Sequence, residues 1–179
     1  MRLILFGIGL LLLSSSGVWA KESIKPATVS PTPVILSDYT LPYPGLLPDH
    51  PLYNLKALRD KILLWFTKDE VKLVELNLLM ADKRLKMGEV LFEKGNKKLA
   101  LSTISKGEKY FGQAISQLRA ITNTSKESVN MLQDKLARSS VKHKEVIEAL
   151  MLEDKENAEE WQVILDLVND AQVEVVKIK

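Results

Sequence analysis

VKLVELNLLMADKRLKMGEVLFEKGN, residues 71–96, decides the fold. Val71, Val74, Leu78, Ala81, Leu85, Gly88 and Phe92 recur at strict intervals of three and four. This spacing draws one apolar seam along a helix, the pattern of helices packed about 20° apart in a left-handed sense. Gly95-Asn96 stops the helix, because glycine takes the left-handed conformation of a helix end without strain. Upstream, Thr67 and Glu70 have the spacing of a capping box, with Thr67 as the cap.

Working outward, the same seam returns three more times. Ala100, Ile104, Gly107, Phe111, Ala114, Leu118 and Ile121 mark a third helix. A second capping box, Thr124 to Glu127, opens a fourth with Val129, Leu132, Leu136, Ser139, His143, Val146 and Leu150. A fifth carries Ala158, Trp161, Leu165, Val168, Gln172 and Val175. Before the quoted stretch, Leu52, Leu55, Leu58, Ile62 and Trp65 predict a short first helix that buries this face. Asp49 is its expected cap, with Pro51 in the first turn. No proline occurs after Pro51, so nothing interrupts these helices. Short connections make sequential helices antiparallel. The expected fold is all-α: an elongated antiparallel bundle of one short helix and four longer ones. Gly88 and Gly107 permit close helix approach, within one chain or between two.

The N-terminal side reads differently. Met1-Arg2, the apolar run Leu3–Leu13 and the small residues up to Ala20 have the three-part form of a secretory signal. The apolar core is too short for an ordinary membrane span. Three segments follow: residues 1–20 as signal peptide, 21–48 as a proline-rich extended linker, and 49–179 as the helical domain. Within the linker, Tyr39, Leu41, Tyr43, Leu46 and Leu47 alternate with Pro42, Pro44 and Pro48, a stiff apolar strip expected to lie along the bundle.

Composition excludes several functions. The chain has 25 bases, 23 acids and no cysteine. Near-neutral charge argues against a nucleic-acid partner, and the missing thiols exclude disulfides and thiolate metal sites. The two histidines are His50 and His143. Neither follows a glutamate three residues earlier, so the Glu-x-x-His pairs of a di-iron bundle do not exist. His143-Lys144-Glu145 departs from H-E-x-x-H, and nucleophile-elbow, phosphate-loop and dinucleotide motifs do not occur. His143 lies on the fourth helix's seam one turn after Ser139, the place of a hydrogen-bonded core histidine. A pH-sensitive hinge is its functional alternative. Six bases between Lys94 and Arg119 face only Glu108 in that stretch, and seven acids between Glu153 and Asp170 face only Lys155. They read as solvated faces, or as a dipolar surface that meets an anionic polymer or an acidic partner.

Leu47-Pro48-Asp49-His50-Pro51-Leu52-Tyr53-Asn54-Leu55-Lys56, followed by Arg59-Asp60-Lys61-Ile62, resembles the opening of a family of exported bacterial helical domains known only as a domain of unknown function (DUF5667). Ala81-Asp82-Lys83-Arg84-Leu85 and Lys142-His143-Lys144-Glu145-Val146-Ile147 extend the resemblance, from about Leu41 to the C-terminus. The family's usual proline between its last two helices is replaced here by Leu152–Glu156. The resemblance implies export, a helical fold and a structural signature of Pro48, Pro51, Leu52, Tyr53, Leu55, Lys56, Arg59, Lys83, Arg84, Leu85 and His143. In it Pro51 starts a helix, Tyr53 and Leu55 pack, and Lys56 and Arg59 pair with acids. It implies no activity.

The expectation is a non-catalytic extracytoplasmic protein, periplasmic, secreted or envelope-associated, that binds or spaces other envelope components. It needs no cofactor, meets the membrane through its signal peptide alone, and leaves a second copy of itself open as a partner. A periplasmic chaperone or stress sensor is the alternative, although the leucine-threonine-x-x-glutamine motif of that group does not occur.

Overall fold

The computed structural model describes residues 38–178. The predicted signal peptide and the linker as far as residue 37 lie outside the described residues. Five α-helices follow one another: α1 (Tyr53–Phe66), α2 (Glu70–Glu93), α3 (Lys97–Ala120), α4 (Lys126–Glu153) and α5 (Ala158–Val176). A single 3₁₀ turn, Lys155–Asn157, joins the last two. The fold is the all-α helical bundle that the seams predict.

Polar side chains cap the N-termini of α2 and α4, though not the expected ones. Asp69, rather than Thr67, caps α2 by accepting from the Lys72 amide at 3.0 Å. Thr67 instead closes α1, its hydroxyl donating to the Leu63 carbonyl at 2.7 Å. Ser125, one residue beyond the expected Thr124, caps α4 by accepting from the Ser128 amide. Asp49 does not cap α1; its carboxylate meets Lys94 at 3.2 Å, and the His50 ring nitrogen accepts from the Leu52 amide at 3.1 Å. The corrections at α2 and α4 are shifts of two residues and one, because neighbouring side chains of the right chemistry compete for one orphan amide, whereas α1 has no side-chain cap. Gly95 ends α2 with φ 80°.

α2 and α3 form the most intimate pair, and glycine is the reason. A β-carbon on Gly88 would overlap the Ile104 side chain and lie 3.2 Å from the Ala100 carbonyl; one on Gly107 would lie 3.2 Å from the Ala81 carbonyl. The close approach is therefore within one chain. α4 and α5 pack together, and α5 also leans on α3. Two apolar clusters fill the interior. One gathers Leu85, Phe92, Ile104, Ile147, Trp161 and Val168; the other gathers Val74, Leu78, Phe111, Leu118, Leu136 and Val175. Leu41 packs against the first, so the proline-rich strip does lie along the bundle there.

α1 departs from expectation. Among the helices it touches α2 alone, and the face predicted to be buried is exposed: Leu52 57%, Leu55 68%, Leu58 54%, Ile62 46% and Trp65 82%. Its buried residue is Asp60. Periodicity reports that a helix has an apolar side, but not whether the chain provides anything to cover it.

Candidate functional site

Two features stand apart from ordinary core packing. The first is a closed polar cluster between the two apolar clusters. Along α2, Asp82 sits between Ala81 and Leu85; along α3, Glu108 sits between Ile104 and Phe111; along α4, Ser139 and His143 sit between Leu136 and Val146. His143 and Ser139 are wholly inaccessible, and Asp82 and Glu108 nearly so. The His143 Nδ1 lies 2.8 Å from Glu108 Oε1 and its Nε2 lies 3.0 Å from Asp82 Oδ1. Two acceptor-only carboxylates facing both ring nitrogens require both nitrogens to donate, the doubly protonated imidazolium. Ser139 Oγ donates to Asp82 Oδ1 at 2.7 Å, and Tyr39 Oη donates to Asp82 Oδ2 at 2.6 Å. Four separate segments thus converge on one buried ion triad.

Electrostatics agree with the geometry. Burial by itself pushes the His143 imidazolium down, but the Glu108 charge and the hydrogen bonds to Asp82 and Glu108 outweigh it and lift the ring to about 9. Burial, followed by the bond to Asp82, raises the Tyr39 phenol above its usual value. The Phe111 ring centroid lies 5.1 Å from that of His143 and completes the enclosure. Chemically the cluster is a structural ion triad: every ring nitrogen is used, and no face of the histidine is open to a reactant. Among the described residues no group of three or more His, Cys, Asp or Glu side chains is arranged to hold a metal ion.

His143 is the hydrogen-bonded core histidine that its seam position predicts. Its partners are what sequence reasoning missed, since abundant acids read by default as solvated faces. A signal did exist: Asp82 and Glu108 each follow a seam residue, Ala81 and Gly107, and a position beside the seam still points partly inward.

The second feature is the outer side of α1. Tyr53, Lys56, Ala57, Asp60 and Leu64 make up the side turned toward the bundle, all of them buried or half-buried. Leu55, Leu58, Ile62 and Trp65 lie about half a turn away and face outward. Beside them a groove of about 750 Å³ runs between Tyr43–Leu46 and α1, with Lys56, Arg59 and Lys83 along it. Burial holds the Lys56 ammonium below its usual value.

The residues of the structural signature therefore divide. Leu85 is core and Arg84 is buried, its guanidinium stacked 4.2 Å over the Tyr110 ring. Tyr53 is half-buried under Lys56, whose ammonium lies 5.6 Å from the ring and donates to the Pro44 carbonyl at 3.4 Å. That carbonyl takes the place of the acid expected for Lys56, whereas Arg59 does pair with Asp60 at 2.6 Å. Leu52 and Leu55 do not pack; they and Pro51 are exposed, and Pro48 and Lys83 are half-buried. The structure does not bring these residues to one point, and His143 lies apart from the α1 groups in its own cluster. The turn that lacks the family's proline is built instead on Asp154. Its inaccessible carboxylate accepts from Lys97 Nζ at 3.0 Å, Asn157 Nδ2 at 2.8 Å and Trp161 Nε1 at 3.0 Å. Burial raises that carboxyl, and the three donors, Trp161 first, more than reverse the effect. Lys97 and Arg119 of the basic stretch are paired with Asp154 and Glu174, so part of the charge asymmetry is met by acids of the same domain.

The model of a family described as Domain of unknown function (DUF5667) matches residues 45–171. The chain belongs to the DUF5667 family. The match spans both the α1 surface and the buried triad, placing both features inside the DUF5667 domain. Comparison with the curated proteins and with the solved structures gave no match.

Proposed function

We propose that this DUF5667 chain is a non-catalytic interaction or spacer module of the cell envelope, exported by its N-terminal leader. The observation that carries the reading is the outward apolar side of α1. Large contiguous apolar surface on a folded domain marks a place where something binds, and here it projects from a bundle whose own core is complete without it. The buried triad supports the reading from the other side, because its groups are committed to one another. A photo-reactive residue at position 58, in the source cells, tests it. Crosslinks to an envelope component at position 58, absent from a control at the exposed polar Gln113, are expected. Recovery of the unlinked chain from the cytoplasm would overturn the proposal.

The same exposed side chains favour a second reading, a chaperone-like or stress-sensing protein that holds unfolded clients. Such a protein suppresses aggregation of unrelated substrates at substoichiometric levels and loses that capacity in Leu58→Glu; an adaptor does neither.

A further inference from the structure

We infer that the outer side of α1 lies flat on an anionic lipid surface. The inference rests on the interaction-module reading and names what that surface meets. It follows from how α1 distributes its charge. Within Tyr53–Phe66 the bases are Lys56, Arg59 and Lys61, and the acid is Asp60. Asp60 is turned into the bundle, 5% exposed, and is bonded to Arg59. The outward side therefore carries no acid. It carries leucines, Ile62 and, at the C-terminal end, Trp65 and Phe66, which are 82% and 68% exposed. Lys61 flanks this side and is exposed; just beyond the helix Lys68 is exposed too, followed by the exposed acids Asp69, which caps α2, and Glu70, which opens it.

A helix with Leu, Trp and Phe on one side and bases along its margins is built to bury the apolar side at the boundary between headgroups and acyl chains. Trp65 fits that boundary, since amphipathic indole rings concentrate at headgroup depth, and Phe66 adds apolar area to the side that is buried. Bases beside the apolar side complement anionic headgroups within a Debye length. A helix placed to dock in another protein's groove has no need for its acid to be withdrawn. No described helix is long and apolar enough to cross a membrane, so the contact is one of lying on the surface. α1 is also weakly attached to the rest of the bundle, touching α2 alone among the helices, which leaves the outer side free of the domain's bulk.

Trp65 is the probe. In the full chain carrying Trp19→Phe, the remaining tryptophans are Trp65 and the fully buried Trp161, so a change in emission on adding vesicles reports on α1. Vesicles of phosphatidylglycerol mixed with phosphatidylcholine are expected to shift Trp65 emission to the blue, and vesicles of phosphatidylcholine alone to leave it unchanged. Added salt should weaken the effect. Lys61→Gln and Lys68→Gln should each lower the apparent affinity about fivefold. Leu55→Glu with Leu58→Glu should abolish the shift while circular dichroism stays helical, both sites being exposed.

An unshifted Trp65 with anionic vesicles overturns the inference, as does an equal shift with both kinds of vesicle or an undiminished shift in the double variant. A blue shift without vesicles that fades on dilution, with a dimer in sedimentation, assigns the surface to a second copy and also overturns it. In each of these cases a protein crosslinked through position 58 would leave the interaction-module reading standing, whereas the absence of any crosslinked envelope component would remove both.

Discussion

At His143 both ring nitrogens face carboxylate oxygens, at 2.8 and 3.0 Å, and a neutral imidazole would turn a lone pair toward one of them. The proton is therefore part of the fold, and stability depends on pH in a defined direction. The folded ring titrates at about 9, above its ordinary value near 6.5. The stabilisation is complete below about pH 6.5 and is lost as pH rises through 9, a span worth on the order of 3 kcal/mol. Urea unfolding of the protein and of His143→Gln at a series of pH values checks this. The gap between the two should be widest near neutrality and should close toward about pH 10. A gap that stays constant across the series would mean that the ring is neutral. Asp82 is the hub, since Tyr39, Ser139 and His143 all bond to it. Asp82→Ala should cost about 3–5 kcal/mol, the scale of breaking a buried ion pair, measured by the same denaturation near neutral pH. His143 could be placed from sequence because a histidine one turn after Ser139 on an otherwise apolar seam is conspicuous. Its hub could not, because an acid beside a seam looks the same whether its helix meets solvent or another helix.

At the scale of elements, glycine separates the buried helix contact from the free surface. On α2, Gly88 packs directly under Ile104 of α3, and a methyl group would collide close to the Ile104 branch, which has little freedom to move. Gly88→Ala should therefore lose about 1–3 kcal/mol through overpacking, despite the better helix propensity of alanine. On α3, Gly112 has open space around it, so Gly112→Ala should gain up to about 1 kcal/mol from propensity alone. Thermal melts of the two variants should move in opposite directions. The seams legible in sequence located α2, α3, α4 and α5, because three- and four-residue spacing is a local property that tertiary contacts only reinforce. The caps were less legible. Thr67 and Asp69 both lie at the α1–α2 junction, and backbone geometry, which composition does not encode, gave Asp69 the Lys72 amide and Thr67 the Leu63 carbonyl.

For the whole molecule, burial has to be apportioned between what the chain covers itself and what it leaves for something else. The sequence locates α1 but not the exposure of its apolar side, for this reason. Leu55 and Leu58 repeat at helical spacing just as Leu78 and Leu85 do, and no local feature distinguishes a side that meets α3 from one left exposed among the described residues. The proline-rich strip gave no warning either: Leu41 packs on the core, whereas Tyr43 is 83% exposed two residues later. Energetics should expose the division directly. Leu85 is fully buried, so Leu85→Ala should lose about 2–5 kcal/mol through transfer and cavity terms together. Leu55 and Leu58 are 68% and 54% exposed, so Leu55→Ala and Leu58→Ala should each fall within about 0.5 kcal/mol of the parent. Urea midpoints of the isolated protein make the comparison. If all three variants lose comparable stability, α1 folds onto the bundle in solution and its outer side is core. If Leu85→Ala alone is costly, the apolar side of α1 contributes almost nothing to folding, and its chemistry has to be explained by what it touches in the cell.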